Sequence, residues 1–231
     1  MVKNGVIKMS IEAQKRQGGR LLIENILAEN TAAALTLTAN GDYVQISGNY
    51  ENGDIIHIAE PAELAGDYTV TQYDGATDLG FKSLFGLVAD DLSGVSAVTG
   101  YKLDMLPACW GTDFNRNLGS WNTESITNGC GQTITLSSSF ERGTLDLSFY
   151  QNWTIDLQNA IKDRFQENAP SLAIAYEPLG IDENGQAVQL GIQELSRALI
   201  TGIDLSDPND GVATGTINGT FVSKVVTARI A

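Results

Sequence analysis

The chain has 231 residues, 42% hydrophobic and 18% charged, a balance that excludes a disordered chain and is long enough to bury a substantial core. Its 28 acidic residues outnumber its 14 basic ones, and the net charge of −14 repels nucleic-acid phosphates and anionic lipids. Sequence-specific DNA binding is therefore not expected, whereas a wall that DNA slides past without sticking stays open.

Cys109, Cys130 and the single histidine, His57, are too few and too widely spaced for a zinc site, and two free thiols are expected over a disulfide. No apolar run approaches the roughly 20 residues of a membrane span. Lys3 and Lys8 are not followed by the hydrophobic segment of a secretory signal. The two sequon matches, at Asn152 and Asn218, therefore carry no weight.

In chain order, Met1 to Arg20 is polar and locally positive through Lys15, Arg16 and Arg20. It is either an arm lying on a neighbour or a frayed terminus. Leu21 to Leu27 is a first strand or a short helix, and Ala32 to Thr38 is ambiguous. From Gly41 the β signals become regular. Val44 and Ile46 alternate with Tyr43, Gln45 and Ser47, Ile55 to Ile58 is a short strand, and Tyr68 to Tyr73 another. His57, within a strand and far in sequence from any second ligand, reads as structural.

Leu79 to Trp110 places Phe81, Leu84, Phe85, Leu87, Val88 and Leu92 among glycines without a clear period. An irregular apolar stretch of this length predicts a loop covered by a neighbouring subunit. Asp90 and Asp91 read as a turn, because adjacent side chains on a strand diverge. Gly111 to Gly131, rich in Asn, Gly, Ser and Thr and carrying Trp121, predicts a further long loop, so 79–131 forms one insertion used between subunits.

Phe140 to Gly180 is the best-defined unit. Leu145, Leu147 and Phe149 share one face of a strand, opposite Thr144, Asp146, Ser148 and Tyr150. Thr154 is a plausible N-cap. Leu157, Ala160, Ile161 and Phe165 then form one stripe of a helix, with Gln158, Asn159, Lys162, Asp163 and Gln166 opposite. Pro170 stops the helix, and Leu172, Ile174 and Tyr176 face one way on the next strand. Further strands are predicted with Val188, Leu190 and Ile192 alternating, then Leu199, Thr201, Ile203 and Leu205, and finally over Thr214 to Ile217 and Phe221 to Ile230. The turn from Ser206 to Gly211 has the wrong order of acidic residues and glycine for an EF-hand.

No P-loop, HExxH or GxSxG motif is present, and no pattern selects a carboxylate pair from the acidic residues. The chain is expected not to be an enzyme, with no catalytic, cofactor-binding or metal-binding residue.

The strand from Arg142 to Phe149, the helix from Leu157 to Phe165 and the strand from Leu172 to Tyr176 are followed by Ala198-Leu199-Ile200-Thr201-Gly202-Ile203-Asp204 and the ending from Val212 to Thr220. That order, over roughly Ile134 to Ile230, resembles the major tail tube proteins of long-tailed bacteriophages. The resemblance implies a mainly β, sandwich- or barrel-like fold with one flanking helix, as a single domain over 1–231 with a possible arm at 1–20. It also implies a structural virion protein of the tail, assembled in the host bacterial cytoplasm. Self-association into stacked hexameric rings would form the tube that delivers phage DNA. The partners would be other tail proteins: tape measure, tail tip or baseplate, and tail terminator. DNA would pass through the lumen without specific binding, and no membrane or cofactor is involved. The alternatives are another β-sandwich virion protein (tail terminator, head–tail completion or decoration protein) and a carbohydrate-binding module with Trp110, Trp121 and Trp153 as its platform.

Overall fold

The computed structural model describes residues 19–72, 81–127, 133–151, 155–168, 170–181, 187–209 and 211–230. Among the described residues the fold is mainly β: a curled sheet, one α-helix on its inner face, and a closed six-stranded barrel on its outer face.

Strand β1 (Gly19–Glu24) opens the sheet, and the chain then leaves to build the barrel. The barrel strands are β2 (Ala33–Asn40), β3 (Tyr43–Ser47), β4 (Ile55–Glu60), β5 (Gly66–Gln72), β6 (Lys82–Phe85) and β7 (Val98–Lys102), closed in the order β2-β3-β6-β5-β4-β7. A two-residue loop, Gly41-Asp42, joins β2 to β3. Gly41 has φ 62°, a region glycine enters without steric cost. Val44, Ile46, Ile56, Ile58, Val70 and Leu84 fill the interior. The segment expected to be a loop between subunits thus supplies β6 and β7, and Leu84 and Leu87 are buried inside the subunit. Only Phe81, Phe85 and Val88 of that group are well exposed. Four residues of strand between glycines are too few to display a period of two, which hid β6 in the sequence.

The chain returns at β8 (Met105–Pro107), which pairs with β1, and continues through β9 (Gly111–Thr127) and β10 (Thr133–Tyr150). After helix α1 (Asp156–Glu167) come β11 (Ser171–Ile181), β12 (Ala187–Gln189), β13 (Ile192–Ser206), β14 (Thr214–Phe221) and β15 (Val226–Arg229). The sheet order is β8-β1-β11-β13-β14-β10-β9, with β12 on β11 and β15 on β13. Although β8 and β9 lie at opposite ends of this order, only Ala108-Cys109-Trp110 join them. Such a link spans at most about 14 Å, so the sheet must curl until its two margins approach. Across the curl, Phe114 of β9 lies 5.6 Å from Tyr176 of β11, and Arg116 of β9 pairs with Glu194 of β13 at 2.6 Å.

The concave face holds the larger core. Leu145, Leu147 and Phe149 of β10 point inward as expected and meet Leu157 and Ile161 of α1. Phe165 and Ala160 pack at its margin. One position of the helix departs from its predicted face: Gln158 is buried, and its Nε2 donates to the Tyr150 carbonyl at 3.0 Å. Ile155 occupies the N-cap position; Thr154 lies outside the described residues. On the convex face, Leu22, Ala173, Ala175 and Leu195 pack against Ile55 and Leu103 from the barrel side. Strand β11 is therefore buried on both faces, with Leu172 and Ile174 on one side and two alanines on the other.

The predicted alternation along β13 has the wrong phase. Ala198 and Ile200 point into the concave core, then a bulge between Ile200 and Gly202 lets Ile203 join the same face. A bulge adds one residue to one strand and reverses the pattern beyond it. Leu205 ends up exposed at the strand end.

Candidate assembly interface

The most distinctive feature is the β9–β10 hairpin. Its strands are 17 and 18 residues long and stay in register from Phe149↔Gly111 to Thr133↔Thr127, with a shift between Ser137 and Ser139 and another at Ser148/Phe149. The region expected to be a loop from Gly111 to Gly131 is, through Thr127, one of these strands. Only the base of the hairpin belongs to the sheet, because β14 pairs with β10 from Thr144 to Tyr150 and no farther. Beyond Arg142, among the described residues, the two strands pair with no strand but each other, over about nine residues or about 30 Å. The outer edge of β9 pairs with no strand among the described residues.

Gly143 sits where the ribbon leaves the sheet. A Cβ there would stand 1.9 Å from the Asn117 carbonyl oxygen, so any side chain would collide with backbone. The position requires glycine because the strands approach too closely there, a separate matter from its φ angle. Close by, a groove of about 570 Å³ is lined by Leu118, Phe221, Val222 and Val225, with Arg142 and Lys224 at its rim. The loop forming one wall is pinned to β13: the Val222 amide donates to the Arg197 carbonyl at 2.8 Å, and the Arg197 amide donates to Ser223 Oγ at 2.7 Å.

The opposite end of the same strands gathers exposed apolar groups with carboxylates. Register places Tyr150 and Ser206 beside Thr214, and Tyr150, Leu205 and Val212 are 53%, 46% and 64% exposed. Asp113 lies opposite Ser148. Asp204 accepts from Asn218 Nδ2 at 2.7 Å, and Asp207 from Gln151 Nε2 at 3.1 Å.

A polar network locks the barrel to the sheet. His57 Nδ1 lies 2.7 Å from Asp67 Oδ1, and Arg197 grips the same carboxylate through Nε and Nη2 at 2.7 and 3.1 Å. Arg197 also reaches Glu24 at 3.2 Å, and Glu24 accepts from the Ala173 amide at 2.8 Å. Burial alone would raise the Asp67 carboxyl, but hydrogen bonds from His57 and Arg197, with their charges, hold it below its ordinary value. Burial would lower the Arg197 guanidinium, and Asp67 and Glu24 more than offset it. Deeper in the same junction, Thr69 Oγ1 donates to Gln193 Oε1 at 3.0 Å, and Gln193 Nε2 donates to the Gly53 carbonyl at 3.0 Å. His57 stays within the barrel, between Asp67 of β5 and Tyr101 of β7, and it is the Asp67–Arg197 pair that joins barrel to sheet.

Asp90 and Asp91 lie in a single 3-10 turn, where Asp91 Oδ2 accepts from the Val88 amide. Trp110 is packed edge-on against Phe149 at 5.5 Å and cannot serve as an exposed sugar platform. Nothing is described of the Trp121 side chain, and Trp153, Cys130, Lys15 and Arg16 lie outside the described residues. Arg20 is on β1, 3.5 Å from Glu177. Among the described residues no cluster of three metal-ligating side chains occurs, and no helix is long and apolar enough to cross a membrane.

Of the long hairpin, β10 was read as strand from Ile134 and again from Arg142, and β9 was missed.

No protein-family model matches the sequence, and no curated protein matches it. Among solved structures, the chain is similar to one in the cryo-EM structure of the anti-feeding prophage (AFP) baseplate, 6-fold symmetrised. The identity is 9% and the TM-score 0.39, over 80% of this chain and 97% of that one.

Proposed function

We propose that this protein is a major tail tube subunit of a long-tailed bacteriophage. It is a structural, non-enzymatic virion protein that associates with itself into hexameric rings. The rings stack into the tube through which DNA is delivered. Tape measure, tip or baseplate, and terminator proteins are its partners in the tail, and assembly takes place in the host bacterial cytoplasm.

The observation that carries the reading is the β9–β10 ribbon. An isolated two-stranded ribbon is marginal in water, and a long unpaired edge strand invites pairing with another chain. A polymer of identical subunits satisfies both needs, because ring closure pairs exposed edges and the ribbon can lie on an adjacent copy. The order of strand, helix and strands in the C-terminal half, which resembles tail tube proteins, supports the same reading.

The test is sedimentation of the purified protein over a wide concentration range, with negative-stain microscopy of the concentrated sample and of a sample seeded with tail-tip complex. Rings or tubes, spontaneous or seeded, are expected. A monomer under every condition, seeded or not, contradicts the reading. Single rings that never stack would favour a terminator or completion protein.

A further inference from the structure

We propose that the two ends of the curled sheet are complementary docking faces, through which a second copy of this chain stacks end to end. The proposal rests on the polymer reading above and assigns the contact between successive layers.

One end is apolar and acidic. Tyr150, Leu205 and Val212 are exposed there, beside Asp113, Asp204 and Asp207. Among the described residues none of these three carboxylates forms an ion pair; they accept from neutral amides, Asp113 from the Phe114 backbone and the Asn115 side chain, Asp204 from the Asn218 side chain and Asp207 from the Gln151 side chain. The other end is apolar and basic. Its groove is walled by Leu118, Phe221 and Val222, and Arg142 and Lys224 stand exposed at the rim. Neither cation makes an ion pair among the described residues. Glu141 precedes Arg142 but projects from the opposite face of the strand.

The same strands carry both ends. Strand β14 runs from Thr214, beside the acidic end, to Phe221 in the groove, about 25 Å away. Two different faces at opposite ends of one axis cannot mate about a two-fold. They mate head to tail and leave a free face of each kind, so the array grows along the strands. The ribbon beyond Arg142 projects past the basic end, and the copy docked there would lie alongside it. A projecting exposed valine at 212 supplies the apolar group to enter the groove, while aspartates meet Arg142 and Lys224. Exposed pairs of this kind give register and orientation more than affinity, and they weaken in salt.

The experiment uses full-length protein. One variant carries Arg142→Glu and Lys224→Glu, a second Asp204→Lys and Asp207→Lys, and a third carries all four changes. All four positions are exposed, so each variant should melt near the wild type. Each double variant should raise the concentration needed for stacking roughly tenfold or more, since like charges now face each other, while lateral rings persist. The fourfold variant, with its ends exchanged in sign, should stack again. Wild-type stacking should weaken as salt rises.

Double variants that stack like the wild type, or a fourfold variant no better than the doubles, overturn the proposal and leave the tube reading intact. A wild type that never polymerises overturns both.

Discussion

Gln158 occupies a place where its polarity is misleading. It sits between Leu157 and Ile161 on the buried side of α1 because its amide satisfies the Tyr150 carbonyl at the end of β10. Gln158→Ala would leave that carbonyl without its partner and should cost about 1–3 kcal/mol. Ile161→Ala, in a fully buried site, should cost about 2–5 kcal/mol. Gln166→Ala, on the exposed face, should be nearly silent in the same thermal melts. A second residue prediction concerns Arg197, whose loss would strand the buried Asp67 carboxylate. Arg197→Met should destabilise by about 3–5 kcal/mol at neutral pH. The sign with pH follows from Asp67. Its carboxyl is held below the ordinary value of 3.8, so its contribution is complete above that pH and fades as pH falls through the folded value. In the variant, only His57 is left to oppose burial at that carboxyl. The stability gap between wild type and variant should therefore be widest at neutral pH and narrow as the pH falls through the carboxylate range, as read by denaturant unfolding at several pH values.

At the scale of elements, the barrel and the ribbon should answer deletion in opposite ways. Removing Lys82–Phe85 takes one strand and the buried Leu84 from a closed barrel and exposes Val44, Ile46 and Val70, so the chain should fail to fold cooperatively. Replacing residues 121–139 by a tight turn removes only the part of the hairpin beyond the sheet. That variant should remain a folded monomer by circular dichroism and fail to polymerise in sedimentation. The contrast also shows what could be read without coordinates. The Phe140 to Gly180 unit was legible because β10 and α1 each present one apolar face to one core, and their periods survive in the residues. Strand β11 was legible only in part, because Ala173 and Ala175 face a second core that alternation does not mark. Before the bulge in β13 the pattern misled: Leu199 and Thr201 alternate with Ile203 in the sequence, but one added residue puts them on the opposite face from it. Strand β9 was missed because it has little core to face: within the sheet only Phe114 and Arg116 among its larger side chains turn toward partners. The docking ends proposed above were invisible for a different reason, since Val212, just before β14, is exposed while Phe221, at the far end of that strand, is buried.

For the whole molecule, the tube proposed above sets an expectation about DNA. Six chains at −14 each in such a ring would carry −84. A narrow channel with low-dielectric walls focuses whatever part of that field faces inward. Each phosphate contact by Lys or Arg would add affinity and salt dependence, and a conduit must do neither. Assembled tubes should bind duplex DNA negligibly at physiological salt in an anisotropy titration. A micromolar, salt-sensitive affinity would contradict this, as would a tube structure with Arg20, which lies beside Glu177 on β1, turned into the bore.

The insertion of the barrel between β1 and β8 has a consequence for the order of events during synthesis. Strand β1 finds its main partner in β11, where Gly19 lies opposite Pro178 and Ile23 opposite Ile174. The barrel strands, by contrast, are complete once residue 102 has left the ribosome. The barrel can therefore close early, while the first strand waits for most of the chain. Contacts so distant in sequence are slow to form, because loop closure must precede them. A polypeptide released before residue 171 would carry a finished barrel and an unfinished sheet, with β1 paired to β8 alone. Such a fragment lacks Asp204, Asp207, Val212, Phe221 and Lys224, so on the stacking proposed above neither of its docking ends would be complete, and prematurely terminated chains should be kept out of a growing polymer.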